Sequence, residues 1–509
     1  MVSPGPRRSG PFALWKGNNT VDELMAQRVA KAEELRAAGI DPYPPRLTRT
    51  HMAADVTLLV EALPEGESHV EGIEVDIAGR VVAKRDMGKA TFLDLLDGSG
   101  RIQVLMRQNS VANYDSLRLI DLGDFIGVNG TPIRTRTGQP TVQAAHWTML
   151  TKALHAPPEK YHGLADVELR QRKRYLDLMA NEETRQRFIV RSKVVSAIRR
   201  FLDARGFLEV ETPVLQEEAG GAAARPFTTY YNALEEERHL RISLELYLKR
   251  MVVGGFERVY EMGRIFRNEG LGAKYNPEFT MIELYQAYAD YRDVSMLVEE
   301  MISTIAQEVL GRTTFTFRGQ EVSLERPWRR ITLHDALREY GDLELEEFST
   351  ADTLRAELER RGLDVPPTAG YGKLVDEAMS HYVEPRLVQP TFLMDYPVEL
   401  SPLAKRRADN PRLVERWEVF IGGFEAGNAY TELNDPVDQR IRFEEQARLK
   451  AAGDDEAEMV DEDFLFALEH GMPPTGGFGM GIDRLLMILT EQDSIRDVIL
   501  FPQLKSVKG

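Results

Sequence analysis

The stretch from Phe256 to Tyr288, FERVYEMGRIFRNEGLGAKYNPEFTMIELYQAY, decides the fold. Two runs of strand-forming residues flank the polar, glycine-bearing segment NEGLGAKYN, which predicts a long antiparallel hairpin with a mobile tip. Because side chains alternate along a strand, Arg267 and Glu269 should share one face of the first arm. The second arm should present four side chains on one face, namely Phe279, Met281, Glu283 and Tyr285. Such a hairpin suits a nucleotide and an amine-bearing partner, whereas the plain alternative is a hairpin with surface charges.

Length and composition set the broad class. A chain of 509 residues, 43% of them hydrophobic, is expected to hold two or more cored domains. The absence of cysteine excludes disulfides and thiolate metal sites, and no run of about 18 apolar residues could span a membrane. The net charge of −17 argues against non-specific DNA binding, but the basic cluster at 170–174 leaves an RNA partner open. Residues 1–19 lack a long apolar core, so we expect a flexible tail rather than a signal peptide, and a cytoplasmic protein.

The N-terminal third is predicted to contain a helix and then a small β domain. Thr20 and Glu23 form a capping pattern, and residues 20–54 should make this helix and a connector. The helix either packs on the next domain or guides RNA. Residues 55–155 hold five short strand-like runs, which predicts a small barrel of the OB type, a fold that binds single-stranded oligonucleotides. Phe92 is a candidate platform for base stacking, or a core residue, and Gln103 can donate and accept at a base edge.

A linker, 156–180, leads into a second predicted domain, 181–509, with a helical insertion near 290–390. The run TRQRFIVRSKVVSAIRRFLDARG predicts an amphipathic helix, and FLEVETPVL predicts a strand that ends at Pro213. This pair would suit either a dimer interface or an ordinary core. In GGAAARPF, the glycines at 220–221 let the backbone approach a small ligand closely. Glu245 lies beside the apolar stripe of the helix LELYLKRMVVGG and therefore needs a cation, either a structural arginine or a substrate amine.

A glycine pair at 422–423 predicts a tight hairpin turn within RWEVFIGGFEAGNAYTELND. In this hairpin Glu418 should pair with Gly427 and lie diagonally across from Glu425 on the same face. Two close carboxylates attract a cation, and their oxygens suit Mg²⁺ bridged to phosphates. A bulge at Gly427 would bring three residues of the opposite parity to the same ligand, namely Asn428, Tyr430 and Glu432.

The last motif is GGFGMGIDRLLMILT, residues 476–490, whose glycines are predicted to open a helix that carries Arg484 in its first turn. With this segment the chain resembles the class II lysyl-tRNA synthetases of the bacterial type, from about residue 22 to 501. FLEVETPVL is similar to the family's motif 1, FRNEG with NPEFTMIELY to motif 2, and GMGIDRL to motif 3. GGAAARPF, PLAKR and ELNDP are typical of the lysyl type.

The resemblance implies an α+β protein with an N-terminal OB-fold barrel, followed by a six- to seven-stranded antiparallel sheet flanked by helices. It implies a homodimer, with no part in a membrane. The implied activity is that of an ATP-dependent ligase, which forms lysyl-adenylate from L-lysine and ATP with Mg²⁺. The lysyl group then passes to the 3′ end of tRNA(Lys).

The resemblance also implies a role for each matching residue. ATP would contact Arg267 at the α-phosphate, Lys274 at the γ-phosphate, Glu269 and Asn276 at the adenine amino group, Phe279 and Arg484 around the ring, and Tyr275 at the hairpin tip. The lysine α-amino group would meet Gly221, Glu245 and Glu283, and the ε-ammonium would meet Tyr285 and Glu432, with Asn428 and Tyr430 lining the pocket. Magnesium would be held by Glu418 and Glu425, and the anticodon would be read by Phe92 and Gln103. Arg267 and Arg484 would be the catalytic residues.

The sequence departs from the family pattern at a few positions. Tyr275 stands where a histidine is usual, Tyr230 and Tyr231 replace a histidine pair, and Gln139 stands where the barrel commonly has a glutamate. The nearest alternative is an aspartyl- or asparaginyl-tRNA synthetase. A lysyltransferase that acts on a protein is another, although such relatives lack the barrel. The third is a non-catalytic RNA-binding paralogue, against which the intact Arg267 and Arg484 argue.

Overall fold

The computed structural model describes residues 19–158, 164, 166–451 and 460–506. The chain divides into two compact units, Met1–Gly163 and Leu164–Gly509. The predicted tail at 1–19 lies outside the described residues except for Asn19, which begins the first helix. The predicted cap at Thr20 involves a side chain outside the described set. No helix among the described residues is long and apolar enough to cross a membrane.

The first unit contains the predicted barrel. Its helices and strands are α1 Asn19–Ala37, α2 Ala53–Glu61, β1 Val75–Met87, β2 Ala90–Leu96, β3 Arg101–Arg107, β4 Phe125–Arg134 and β5 Pro140–Thr151. The five strands close in the order β1-β2-β3-β5-β4. Alternating residues of each strand fill the interior, so that Val75, Ile77, Val104 and Val128 are buried. The sequence prediction of an OB-type barrel is confirmed.

The second unit is built on one large sheet. Its N-terminal elements are α3 Val167–Arg172, α4 Arg174–Ala180, α5 Glu182–Asp203, β6 Leu208–Glu209, β7 Leu215–Gln216, β8 Thr228–Tyr231, β9 Glu236–Leu240, α6 Glu245–Val253, β10 Arg258–Phe266 and β11 Glu278–Ala287. The middle elements are α7 Tyr291–Leu310, β12 Thr314–Phe317, β13 Gln320–Ser323, β14 Arg329–Thr332, α8 Leu333–Gly341, α9 Ala351–Arg360, α10 Tyr371–Tyr382 and β15 Thr391–Pro397. The C-terminal elements are β16 Leu413–Phe420, β17 Glu425–Thr431, α11 Pro436–Ala451, α12 Glu462–Glu469, β18 Thr475–Gly481, α13 Ile482–Leu489 and α14 Ile495–Val498.

Eight of the described strands form this sheet, in the order β14-β15-β16-β17-β18-β11-β10-β6. The predicted antiparallel sheet flanked by helices is confirmed, and its six central strands, β15 to β10 in this order, are antiparallel. The described sheet has eight strands instead of the expected six to seven, because one further strand is added at each edge. The edge strands β14 and β6 run parallel to their neighbours, because each is joined to its partner strand by a connection that contains a helix. The strand predicted to end at Pro213 is also shorter than expected, since only Leu208 and Glu209 pair.

One face of the sheet packs against helices, and the other carries a cavity. Trp417 and Phe478 point to one face and are buried, with ring centroids 5.7 Å apart. Helices α5, α7 and α13 cover this face in one hydrophobic core. Residues one position along each strand, such as Glu418 and Gly479, point to the other face. That second face carries the cavity described below.

The predicted hairpin is present as β10 and β11, with Phe266 opposite Glu278 at its closed end. The placement of Arg267 and Glu269 on one face of the first arm was wrong, because β10 ends at Phe266 and both residues belong to the connecting loop. The second arm is regular, so its predicted row of Phe279, Met281, Glu283 and Tyr285 shares one face.

The second predicted hairpin, β16–β17, turns at Gly422 and Gly423, whose φ angles are 65° and 73°. These left-handed values suit glycine and explain the tight turn. Glu418 pairs with Asn428, however, and not with Gly427 as predicted. A bulge lies one residue earlier than expected, at Ala426, because Phe420 pairs with Glu425 while Val419 pairs with Gly427.

The glycine-rich C-terminal segment also differs from its prediction. Its glycines belong to strand β18 in the middle of the sheet, and helix α13 begins only at Ile482. The backbone of β18 pairs with β11 on one side and with β17 on the other. Because the glycines of β18 have no side chains, they leave space above this part of the sheet, and the cavity described below lies there.

Candidate active site

A cavity of about 1090 Å³ lies on the open face of the sheet. Its walls come from the β10–β11 hairpin, the strands β17 and β18, the start of α6 and the start of α13. Most of the sequence-predicted ligand residues line it: Gly221, Glu245, Arg267, Glu269, Lys274, Tyr275, Asn276, Phe279, Glu283, Tyr285, Glu425, Asn428, Tyr430, Glu432 and Arg484. Segments separated by more than 200 residues in sequence thus meet at one place.

The floor of the cavity is made by two glycines of β18. Gly477 lies between Tyr285 and Tyr430 in the sheet, and Gly479 lies between Glu283 and Asn428. A Cβ atom on Gly477 would come 2.0 Å from Oε1 of Glu432 and 2.5 Å from Cε1 of Tyr285. Because Gly477 has no side chain, the carboxylate of Glu432 and the ring of Tyr285 can occupy the space above it and form one end of the cavity.

That end of the cavity is acidic. Glu245, Glu283 and Glu432 all line it and retain only 6%, 4% and 1% of their exposure. Glu283 accepts hydrogen bonds from the Ser243 hydroxyl (2.9 Å), the Leu244 amide (2.9 Å) and the Tyr285 hydroxyl (3.1 Å). Burial, together with the charge of Glu245, raises the pKa of Glu283 to about 7.

Sequence analysis offered an arginine or a substrate amine as the cation beside Glu245, and the structure adds a third. Nζ of Lys249, one helical turn further along α6, lies 2.5 Å from Oε1 of Glu245. The same ammonium lies 2.5 Å from Oε2 of Glu432. The spacing of four residues was a visible signal for the first contact, but nothing local in the sequence predicts the second.

The other end of the cavity is basic and aromatic. The guanidinium of Arg267 lies over the ring of Phe279, 5.4 Å from its centroid, and burial lowers the pKa of this arginine. Arg484 lies 5.7 Å from the ring centroids of both Tyr275 and Phe424. Nζ of Lys274 lies 5.3 Å from the Phe424 centroid. Phe424 was missed in sequence analysis, although it directly follows the predicted turn.

Two residues at the hairpin tip complete this basic end. Asn276 is buried, and its Oδ1 accepts a hydrogen bond from the amide of Gln503 (3.3 Å), which ties the tip to the C-terminal segment. Glu269 is exposed in the loop that follows β10. Both line the same cavity wall as Arg267.

The two carboxylates predicted to hold Mg²⁺ differ in their surroundings. Glu425 lines the cavity, and its Oε2 lies 3.0 Å from Nη1 of Arg484. Glu418 does not line it among the described residues; its carboxylate is buried, pairs with Arg416 and accepts a hydrogen bond from the Tyr396 hydroxyl (2.9 Å). Burial, with a further contribution from the nearby Glu425, raises the pKa of Glu418 despite Arg416.

This donor set fits a cation that arrives with phosphates. Magnesium commonly takes only one or two carboxylates and completes its shell with water and substrate phosphates. Among the described residues no group of three or more histidine, aspartate or glutamate side chains forms a self-sufficient metal site. Glu425 is therefore the carboxylate that lies in reach of a metal arriving with a nucleotide, whereas Glu418 is buried outside the cavity lining and paired with Arg416.

Helix α13 is fixed to the hairpin by Asp483. Its carboxylate pairs with Arg191 of α5 and accepts a hydrogen bond from the Thr280 amide (2.7 Å). Arg191 in turn donates to the Thr280 hydroxyl (3.1 Å). The position of Arg484, the next residue, is thus tied to the β11 strand that carries Phe279.

Part of the predicted insertion reaches the cavity, which sequence analysis did not anticipate. The segment 366–373, at the start of α10, supplies cavity-lining residues. Arg416, also missed, lines the cavity and donates to the carbonyl of Leu400 (2.7 Å) and to the hydroxyl of Ser401 (2.8 Å). The lining residues of this segment are mostly proline, alanine and glycine, with Thr368, Tyr371 and Lys373 among them, and they form no motif that marked the wall in the sequence.

The two predicted anticodon residues lie in the first unit, on neighbouring barrel strands. Asp94 of β2 pairs directly with Gln103 of β3, and Phe92 is two residues before Asp94. All three therefore share one face of the strand pair. Phe92 and Gln103 are half-buried, and Gln103 accepts a hydrogen bond from the Thr141 hydroxyl (3.0 Å). Arg85 lies opposite Phe92 and pairs with Asp94, which adds a cation to this face.

Comparison with known proteins agrees with this architecture. Residues 166–505 match the family model described as tRNA synthetases class II (D, K and N), and residues 75–150 match that of the OB-fold nucleic acid binding domain. A lysine–tRNA ligase of Dehalococcoides mccartyi is 52% identical over 485 residues, 95% of this chain and 97% of the relative. That of Moorella thermoacetica is 51% identical over 95% of this chain and 98% of the relative.

The chain belongs to the lysine–tRNA ligase family of class II tRNA synthetases. The family resemblance read from the three motifs is thereby confirmed. A further lysine–tRNA ligase, from Nostoc punctiforme, is 50% identical over 95% of this chain and 88% of its own length. In terms of the family, motif 2 is the β10–β11 hairpin and motif 3 is β18 with α13.

Proposed function

We propose that this protein activates L-lysine with ATP and transfers the lysyl group to the 3′ end of tRNA(Lys). The observation that carries the proposal is the acidic end of the cavity, where three buried carboxylates converge. Buried carboxylates require cations, and a diamino acid brings two of them. An aspartate- or asparagine-specific pocket would need a cation or amide groups for the substrate side chain instead.

In the proposed binding mode, the lysine α-ammonium lies between Glu245 and Glu283, near the backbone of Gly221. The φ angle of Gly221 is +84°, and a Cβ there would lie 3.1 Å from the Ser243 hydroxyl, so glycine keeps this wall open. The ε-ammonium binds Glu432 and the Tyr285 hydroxyl, and Asn428 and Tyr430 border its chain. Oε1 of Glu432 has no hydrogen-bond partner among the described residues, which leaves it available for this ammonium.

ATP would occupy the basic, aromatic end. Arg267 neutralises the α-phosphate and the lysine carboxylate, a task for which its planar fork is suited. Phe279 and Arg484 hold the adenine ring, Glu269 and Asn276 bind its amino group, and the tip residues Lys274 and Tyr275 face the γ-phosphate. Glu418 and Glu425 would hold Mg²⁺, which neutralises phosphate charge when bound.

The first reaction joins a lysine carboxylate oxygen to the α-phosphorus and releases pyrophosphate. No protein nucleophile is needed, because the site acts by aligning two anionic groups and neutralising their charge. In the second reaction a terminal ribose hydroxyl of tRNA attacks the lysyl carbonyl and releases AMP. The OB-fold unit would select the tRNA by its anticodon, through Phe92 and Gln103.

The family relationship also leads us to propose a homodimer and a cytoplasmic location, with α5 and β6 in the subunit interface. Ile189 of α5 and Leu208 of β6 are 37% and 46% exposed in the single chain, which suits a surface that a second copy would cover. The predicted domain boundaries at 54/55, 155/156 and 180/181 remain part of this proposal.

Lysine-dependent exchange of pyrophosphate into ATP tests the first reaction directly. We expect exchange with L-lysine and none with L-aspartate or L-asparagine at the same concentration. Charging of a tRNA(Lys) transcript with labelled lysine tests the second reaction. Binding of tRNA without any adenylate formation would instead support a non-catalytic RNA-binding protein.

A further inference from the structure

Lys249 has no part in the binding mode described above, yet it lies at the centre of the acidic end. Its side chain is completely buried, and its ammonium lies 2.5 Å from one oxygen of Glu245 and 2.5 Å from one oxygen of Glu432. It does not line the cavity. The ring centroid of the buried Phe464, which does not line the cavity either, lies 6.0 Å from Nζ.

The charges at this end of the cavity can be counted, and Lys249 balances one of them. Three buried carboxylates face the cavity, and an unpaired carboxylate in such surroundings is strongly unfavourable. Lys249 supplies one of the three cations that they require. The two that are still missing equal the two ammonium groups of a diamino acid, whose own carboxylate is matched by Arg267.

Lys249 also determines how Glu432 is oriented. Its contact with Oε2 is an ion pair without the angles of a hydrogen bond, and Oε1 is left without a partner among the described residues. Oε1 lies directly over the floor, since a Cβ on Gly477 would come within 2.0 Å of it. Contact with Lys249 thus holds one oxygen in the protein and turns the other toward the cavity.

We propose that Lys249 is a positioning and specificity-determining residue that favours the ionised form of Glu432 and orients its carboxylate, so that the pocket accepts an amino acid with two ammonium groups. This inference rests on the proposed lysine activation. It goes further by proposing that the substrate is selected by the balance of charge in the pocket, where one buried lysine stands against three buried carboxylates.

The charge on Glu432 depends on all the groups around it. Burial raises the pKa of Glu432, Lys249 opposes this, and the carboxylates of Glu245 and Glu283 add to it. The hydroxyls of Tyr285 and Tyr430 face the same group. Removing the ammonium leaves only the influences that raise the pKa, so that Glu432 would keep its proton to higher pH.

The test is Lys249→Met in the full-length chain, measured by lysine-dependent pyrophosphate exchange from about pH 6 to 9. We expect the KM for lysine to rise at least tenfold near neutral pH, as for the loss of a charge-assisted contact. The KM for ATP should not change.

The pH at which lysine binds best should move upward in this variant, because Glu432 must now lose its proton without help from Lys249. The preference for lysine over its analogue without the ε-amine, 2-aminohexanoic acid, should fall.

Three further variants separate this role from simple support of the fold. In a Glu432→Gln background, Lys249→Met should add no further increase in the KM for lysine if Lys249 acts through Glu432. Lys249→Gln keeps a hydrogen-bond donor but loses the positive charge, and it replaces Lys249→Met in these measurements if the methionine variant does not fold. Lys152→Met is the matched control, because Lys152 is equally buried between Asp121 (2.6 Å) and Asp124 (2.7 Å) of the first unit. It should lower thermal stability and leave the KM for lysine unchanged.

The two possible failures are distinguishable. If the unaltered protein shows no lysine-dependent exchange, the proposed function is wrong. If it is active, but a folded Lys249 variant keeps the same KM for lysine and the same pH profile, the assignment of Lys249 is wrong. A parallel rise in the KM values for lysine and ATP, with no shift in the pH profile, would also overturn it in favour of a structural role.

Discussion

Oε2 of Glu425 lies 3.0 Å from Nη1 of Arg484, which joins the carboxylate proposed for Mg²⁺ to the cation proposed for adenine. Arg484 also donates to the backbone carbonyl of Glu425 (3.2 Å). The bulge at Ala426 directly follows Glu425, so this contact lies where the register of the strand changes. A metal at Glu425 must therefore compete with Arg484 for the same carboxylate. The proposed binding of Mg²⁺ and the proposed binding of adenine are thus linked through Glu425.

This link predicts the effect of Glu425→Gln. The amide keeps the shape of the side chain but loses the charge that attracts a divalent cation, so the concentration of Mg²⁺ for half-maximal exchange should rise at least tenfold. The measurement is a magnesium titration of lysine-dependent exchange at fixed ATP. Glu415→Gln, a change on β16 that does not line the cavity, is the control. An unchanged magnesium requirement would remove Glu425 from the metal site.

Glu432→Gln tests the ε-ammonium site. Its Oε1 is buried and has no hydrogen-bond partner among the described residues, so the substrate would supply its only cation on that side. An unpaired ammonium in this position costs about 3 kcal/mol or more. We expect the KM for lysine to rise at least tenfold, measured by exchange at saturating ATP. Near-normal lysine kinetics would exclude this role for Glu432.

The pKa of Glu283 predicts how lysine binding depends on pH. A folded-state pKa of about 7, raised mainly by burial, means that Glu283 is largely protonated at pH 6. The raised value stabilises the fold below the ordinary pKa of glutamate, and this contribution is lost as pH rises through about 7. Binding of an ammonium requires the ionised form, so the ionisation of Glu283 alone should improve affinity about tenfold for each unit by which the pH rises toward 7.

Calorimetric titration with lysine at about pH 6, 7 and 8 would measure this dependence. Glu283→Gln should bind lysine more weakly, with a flatter pH profile, because one of two titrating groups is removed and Glu432 remains. If affinity is constant from pH 6 to 8 in the unaltered protein, ionised Glu283 does not bind the α-ammonium.

Sequence reasoning succeeded where the determinants are local. The five barrel strands and both hairpins follow from alternation and from turn glycines such as Gly422 and Gly423. It failed where a single residue changes the register, since Ala426 carries no signal that distinguishes it from a regular strand position. It also missed Lys249, because the contact with Glu432 joins residues that are distant in sequence. The wall at 366–373 was missed for a different reason, since its lining residues, Lys373 among them, form no motif that could be recognised in the sequence.

The glycine floor gives a matched pair of predictions. Gly477→Ala places a methyl group 2.0 Å from Oε1 of Glu432, and overpacking of this kind costs about 1–3 kcal/mol. We expect a lower melting temperature and a KM for lysine raised at least tenfold, because Glu432 and Tyr285 must move. Gly479→Ala, two residues along the same strand, meets its nearest atom, Cγ of Glu283, at an ordinary 3.5 Å. It should fold with an unchanged melting temperature, and equal destabilisation by both substitutions would show that the strand tolerates no side chain at all.

Phe92→Ala and Gln103→Ala separate the two units by function. Both residues lie in the first unit, whereas every residue that lines the cavity lies in the second. Loss of a stacking platform costs about 1–3 kcal/mol per base, so kcat/KM for tRNA(Lys) should fall roughly tenfold or more in Phe92→Ala. Lysine-dependent exchange without tRNA should be unchanged in both variants. Phe125→Ala, on β4 of the same barrel, is a control for loss of an aromatic ring that packs against Arg80 at 4.2 Å. If it impairs charging as much as Phe92→Ala does, the defect reflects the stability of the barrel and not recognition of the anticodon.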